Sequence, residues 1–275
     1  MIKTYRNGRW HDLAGGKIYT RSSWRDISGN DKFRYNGKWY DLAQPFTVKV
    51  LEVSSYPPSF YFYCPSEISA TIQYRLNGGE WLSDYNWRQK LDTGILKAGD
   101  EIEVWNRSSK FRTDTEEDYY SGVRSFNISS YTVSGNISSL INYSSDLSSC
   151  SFHYLFMDQT NLTGAADLIL PSGKADKYTY SAMFYNTRIS RAPVIRCREY
   201  ELGAGVFRSM FCNCPNLNFV EVDFTHWEPW GTQVEDDFEY FMTGCSSTGT
   251  FVKPAALPEY RGSNRIPEGW TVINK

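Results

Sequence analysis

The side chains able to do chemistry are few, and their spacing suits it poorly. Three histidines occur, His11, His153 and His226, and none belongs to a His-x-x-x-His pair. A helical metal site or a catalytic triad would need partners that the sequence does not place beside them. Of six cysteines, Cys212 and Cys214 are spaced C-x-C, without the second pair that tetrahedral zinc sites usually need. The six read as buried thiols rather than a disulfide framework. Residues 113–118 form an acidic run, read first as a solvated loop, with a calcium site or paired catalytic carboxylates as alternatives. Asp236 and Asp237 are adjacent, so their carboxylates point apart instead of facing each other across a glycosidic bond. There is no Gly-x-Ser-x-Gly elbow and no phosphate-cradling loop. The sequence therefore assigns no catalytic residue, no metal and no cofactor, and the chain is read as not an enzyme.

Binding is better served. Residues 225–231 put His226, Trp227 and Trp230 in one short loop. Rings exposed together mark interaction sites, and Trp is favoured at binding hot spots. These three residues are the candidate receptor contact, on a glycan or a protein. The competing reading is a loop folded back to cap the end of a repeat array. A second aromatic set lies near the start. Asn7-Gly8-Arg9-Trp10-His11-Asp12-Leu13 recurs as Asn36-Gly37-Lys38-Trp39-Tyr40-Asp41-Leu42, with a weaker copy at Trp24-Arg25-Asp26-Ile27. Asn-Gly flanked by apolar residues predicts β-hairpins with type I′ turns. Tyr5 and Trp10 then stand on opposite arms of one hairpin, as do Tyr35 and Trp39 on another. Such units are too small to bury their own tryptophans. Trp10, Trp24 and Trp39 are therefore expected to dock on another protein or another copy of this chain.

The elements that carry these groups are mainly β. Aromatic residues make up 16% of the 275, and 20 Tyr outnumber 16 Leu, a balance unlike that of a helical bundle. The net charge of −2 offers no basic stripe for nucleic acid. No stretch approaches the 18 apolar residues of a membrane span, and the first residues lack the apolar core of a secretory leader. Three regions follow: a hairpin-repeat docking region over 1–45, a β-sandwich over 46–133 and a repeat array over 134–275. In the second, strands are predicted at 46–53, 60–63, 71–76, 101–105, 125–129 and 131–133, with turn signals at the spacing of a sandwich. In the third, Phe152-His153-Tyr154-Leu155-Phe156 recurs as Tyr180–Phe184, Phe207–Phe211 and Phe238–Met242, at offsets of 28, 27 and 31. A short strand follows each. One helical turn plus one strand per unit is the pattern of a leucine-rich-type solenoid, with the first, fourth and fifth positions of the turn inward. His153 falls on the outward side.

Tyr180 to Pro193 and Phe207 to Leu217 resemble the units of BspA-like leucine-rich repeats. The closing stretch from Gly249 to Val272 resembles the end of such arrays, and Ile72–Trp81 with Leu96–Asp100 is similar to the sandwich that precedes them. The resemblance implies an Ig-like β-sandwich followed by an α/β leucine-rich-repeat-like solenoid. Such combinations occur in gut Bacteroidales and in their phages, including crAss-like phages. The Trp-x-Asp-Leu hairpins look like the anchoring heads of phage structural proteins. The resemblance thus implies a virion protein, a head or tail fibre component, assembled in the host cytoplasm. Its partners would be other virion proteins and its own copies, as a homo-oligomer and by family expectation a trimer. The array would face outward, toward a host surface glycan or protein, with no nucleic acid bound and no membrane insertion. The alternative is a cellular surface protein that binds carbohydrate or protein. A glycan-degrading depolymerase is least favoured, because the carboxylates are unpaired.

Overall fold

Short alternating segments closed by glycine-containing steps make hairpins. The computed structural model describes, of residues 1–44, the backbone of six strands. From residue 45 it describes the chain except 64–71, 85–87, 91–92, 94, 107–121, 142–146, 148–149, 172–174, 197–202, 228–237 and 263, with 63, 84 and 88–90 as backbone alone. Strands β1 (Lys3–Arg6), β2 (Arg9–Ala14), β3 (Lys17–Thr20), β4 (Ser23–Asp26), β5 (Lys32–Tyr35) and β6 (Lys38–Asp41) form one antiparallel sheet, ordered β4-β3-β2-β1-β5-β6. Tyr5 opposes Trp10, Tyr19 opposes Trp24 and Arg34 opposes Trp39. Each tryptophan thus lies on the second arm of its own hairpin. Pairing of β1 with β5 joins the hairpins into one sheet. The Asn-Gly turns at 7–8 and 36–37 lie outside the described residues, as does the acidic run at 113–118.

The next strands are β7 (Phe46–Val53), β8 (Ser59–Tyr63), β9 (Ile72–Leu76), β10 (Leu82–Asp84), β11 (Arg88–Lys90), β12 (Glu101–Asn106), β13 (Gly122–Phe126), β14 (Ile128–Asn136) and β15 (Leu162–Ile169). They make a large sheet, β10-β9-β12-β7-β14-β15, and a small one, β11-β8-β13. Strand β12 shows why they face each other. Ile102 and Val104 are fully buried, while Glu101 and Glu103 alternate outward. Edge-on rings join the sheets, with Phe60 and Tyr131 centroids 5.0 Å apart and Phe46 and Phe62 6.1 Å apart. The 3₁₀ turn Ile137–Ile141 closes one end. Its Ser139 Oγ accepts the Phe46 N–H at 2.8 Å and donates to the Val104 carbonyl at 2.9 Å. Strand β14 pairs with β7 on one side and runs parallel to β15 on the other. The expected boundary at 133/134 therefore falls inside a strand, and one apolar core runs across it.

Beyond residue 147 the chain advances in coils that bond to one another. On one side, parallel bridges link Leu147 to Ala175, Arg191 to Phe219 and Ile195 to Val222. They lead into a parallel sheet of β16 (Phe219–Glu221), β17 (Gly249–Lys253) and β18 (Trp270–Asn274). On the other side, the Phe152 N–H donates to Thr179 O at 2.9 Å, Tyr180 to Val206 O at 3.0 Å and Phe211 to Phe241 O at 3.0 Å. The amides between them close turns three residues back, as Leu155 does on Phe152 and Met183 on Tyr180.

These turns are not helical, which corrects the expectation of an α/β array. Among the described residues the one helical element is the 3₁₀ turn. An α-helix uses its amides on carbonyls four residues back. Here every second amide is given to the next coil, and positive φ returns every fourth residue, at Cys150, Tyr154 and Asp158 and again at Tyr178, Ala182 and Asn186. The inward positions nevertheless match the sequence reading. Phe152, Leu155 and Phe156, then Tyr180, Met183 and Phe184, then Phe207, Met210 and Phe211, then Phe238, Phe241 and Met242 are each at most 2% exposed.

Two rows of rings result. One runs Phe152, Tyr180, Phe207, Phe238 at centroid spacings of 5.8, 5.8 and 5.3 Å. The other runs Phe156, Phe184, Phe211, Phe241 at 5.3, 5.7 and 5.4 Å. Phe46 of β7 meets the head of the second row at 5.9 Å. At the far end, buried Lys253 donates to the carbonyls of Leu257 at 2.5 Å and Pro254 at 3.4 Å, so its ammonium is hydrogen-bonded where it leaves water. Phe184→Ala removes a ring from mid-row, and chemical denaturation should show a loss of about 3–5 kcal/mol. Phe184→Leu should lose clearly less.

Candidate functional site

The cysteine positions continue the same stacking. Cys214 Sγ donates to Phe184 O at 2.9 Å, and Cys245 Sγ donates to Phe211 O one coil on, at 3.2 Å. Thr187 holds the equivalent place before them, its hydroxyl 3.4 Å from Cys214 Sγ. Burial pushes the Cys214 thiol up to about 11, against a smaller opposing effect of the Thr187 hydrogen bond. Burial also raises Cys212 and Cys245. A nucleophilic thiol is accessible and low in pKa, so these thiols fill space and cap carbonyls. Cys150, Cys212, Cys214 and Cys245 are free, while Cys64 and Cys197 lie outside the described residues. Among the described residues, no group of three His, Cys, Asp or Glu could hold a metal ion. No described helix is long and apolar enough to cross a membrane.

The raised Cys214 pKa fixes the sign of a pH effect. Its contribution to stability is complete below pH 9, the ordinary thiol value, and is lost as pH rises through about 11. Iodoacetamide at pH 8 should leave Cys214 unlabelled in the native protein and label it after unfolding, as peptide mass spectrometry would read. The denaturation midpoint should fall between pH 9 and 11, and fall less in Cys214→Ala.

The loop expected to meet a receptor divides. His226 is exposed, its Nδ1 2.9 Å from the Thr225 hydroxyl. Trp230 lies outside the described residues. Trp227 corrects the expectation, for it is 2% exposed. Its ring packs edge-on against Phe224 at 5.4 Å and Phe238 at 5.2 Å, and its indole N–H donates to Pro258 O at 2.7 Å. A ring enclosed in this way offers no face to a sugar, and its place is that of a cap over the first ring row. Trp227→Ala should cost roughly 3–5 kcal/mol in unfolding, whereas His226→Ala should stay within about 0.5 kcal/mol. Trp10, Trp24 and Trp39 are placed by backbone pairing in β2, β4 and β6, and their side chains lie outside the described set.

Two surface grooves are lined by described residues. One, of about 640 Å³, lies on the outer face of the large sheet, where strand pairing aligns Arg75, Glu103, Thr47, Ser134 and Asp167 in a single row across β9, β12, β7, β14 and β15. Its charges are largely matched. Arg75 meets Glu103 through two hydrogen bonds of 2.5 and 2.8 Å, and this contact raises the guanidinium pKa. Lys49 meets Glu101 at 2.9 Å. Beyond the row, Arg75 lies 4.9 Å over the Trp81 ring, and Trp81 meets Trp105 edge-on at 6.2 Å.

The other groove, of about 480 Å³, runs along the outer side of the turn stack. Tyr154, Tyr178 and Tyr185 line it half-buried, with Arg208 and Ser209, over a floor that includes Ser181 and Ala182. His153 lies on this outer side as a packing residue. It is 3% exposed, its ring stacked 3.6 Å from Tyr154 and 5.9 Å from Tyr178. Sequence reasoning missed this groove, because Tyr154 and Tyr178 come from different coils and meet only through the stacking. The repeat offset was the one available signal.

No protein-family model, curated protein sequence or solved structure matches this chain.

Proposed function

We propose that the chain is a virion structural protein of a crAss-like Bacteroidales phage, a head or tail fibre component. In this reading residues 1–45 anchor it, and an Ig-like sandwich with a leucine-rich-repeat-like solenoid is presented outward for host adhesion. The observation that carries the reading is the division of labour along the chain. A hairpin sheet bearing Trp10, Trp24 and Trp39 comes first. A two-sheet unit and stacked coils that share one apolar core follow. The resemblance of Tyr180–Pro193 and Phe207–Leu217 to BspA-like repeats supports the same assignment. Partners are other virion proteins and further copies of the chain, with the trimer of phage fibres as the expected state, and a host surface glycan or protein at the outward end.

Mass spectrometry of purified particles should find the protein among the virion components. Its presence on a cell envelope instead, with none in particles, would favour the cellular surface protein. Truncation to residues 46–275 should leave cooperative unfolding intact and abolish incorporation into particles. Normal incorporation of that truncation would overturn the anchoring role.

A further inference from the structure

We propose that the groove along the outer side of the turn stack is a binding site for a neutral oligosaccharide, with Tyr154 and Tyr178 as its stacking platforms. The argument begins with backbone conformation. Three columns of the stack take positive φ. In the third, Asp158, Asn186, Asn213 and Gly244 occupy φ values of 60, 54, 58 and 76°, and these are the residue types that tolerate that conformation. Elsewhere Tyr154 holds φ 57° and Tyr178 holds φ 54°. A bulky ring at positive φ is costly and uncommon. The coil pattern sets the positive φ of these columns, and rings that serve packing alone, such as Phe152 and Phe156, are enclosed. Tyr154 and Tyr178 instead stand half-buried at the wall of the groove.

The surroundings hold these rings in place. His153 stacks beneath both, at 3.6 and 5.9 Å, which fixes two tyrosines from successive coils about one buried imidazole. Gly205 follows from the same arrangement. A Cβ there would come within 2.1 Å of Tyr178 Cε1, so only glycine leaves room for the ring where it lies. Lys177 Nζ sits 4.8 Å from the Tyr178 ring.

The polar groups select the ligand class. Arg208 is paired with Glu239 at 2.9 Å, so the groove presents donors and acceptors without an uncompensated charge from that residue. Ser181, Ser209 and the three tyrosines, all hydroxyl-bearing, are among the residues that line the same groove. Rings with hydroxyl edges and a floor of small residues fit the alternating apolar and hydroxyl faces of a sugar chain, and a strongly anionic polymer finds no surplus of positive charge in the pair. This inference does not rest on the virion assignment, since such a groove serves a phage fibre and a cellular surface protein alike.

The test uses the full chain and an array of immobilised neutral oligosaccharides of glucose, galactose, mannose and N-acetylglucosamine, followed by calorimetric titration of the best binder. The wild-type protein should bind at least one. Tyr154→Gly and Tyr178→Gly should each weaken binding roughly three- to tenfold; each variant loses ring packing on His153, and glycine's tolerance of positive φ offsets part of that loss, so binding is compared only where circular dichroism shows the native fold. Arg208→Ala should also weaken binding, and its half-exposed ion pair contributes little to folding. Should a glycine variant fail to fold, Arg208→Ala decides the matter. No binding by the wild type to any neutral sugar on the array would overturn the proposal. So would unchanged binding in the folded tyrosine variants, or in Arg208→Ala. Failure here leaves the particle mass spectrometry of the virion reading untouched, and the reverse also holds.

Discussion

Every second amide on the turn side of the coils donates to the next coil, and most other features follow from that exchange. Backbone groups that leave water must find partners. A coil of some 27 to 31 residues that gives half of its turn amides away can satisfy them only if another coil lies against it at hydrogen-bonding distance. The spacing then becomes a constraint on side chains. Rings at equivalent positions come to lie 5.3–5.8 Å apart and stack. Thiols at equivalent positions reach the carbonyl of the preceding coil. In the third positive-φ column, Asn186 reaches back to Asp158 at 2.8 Å.

The ends of such a stack are its weak points, because the first and last coils have one face without a successor. The two-sheet unit supplies the first. Strand β14 offers its edge to β15 in parallel, and the Val123 amide of β13 donates to Leu155 O at 2.7 Å, so both sheets run on into the stack. Phe46 places a ring against the head of the second row. At the other end β18 adds a parallel strand to β17, and Trp227 and Trp270 sit 2% exposed, each with its indole N–H on a carbonyl. The two-sheet unit and the coils thus share one continuous apolar core.

The chemistry follows from that economy. Thiols with raised pKa and a lysine held by carbonyls serve the fold. What is left for recognition is the outer surface, where the turn stack presents tyrosines and the large sheet presents a polar row that includes the Arg75–Glu103 pair.

The sequence by itself determined the β-rich class, the strand at 46–53, the pairing of Tyr5 with Trp10 and the inward triad of each coil. These are local or periodic properties, written in alternation, in hairpin spacing and in the recurrence of aromatic residues. It misled on the turns because a run of tandem turns repeating every four residues sends inward the same first, fourth and fifth positions as a helix does, so periodicity cannot tell them apart. It left Trp227 open between receptor contact and cap because burial depends on Phe224, Phe238 and Pro258, which lie up to 31 residues away. The groove over the coils was equally hidden. Tyr154 and Tyr178 become neighbours only when the amides of one coil find the carbonyls of the next, and that register is decided by tertiary stacking.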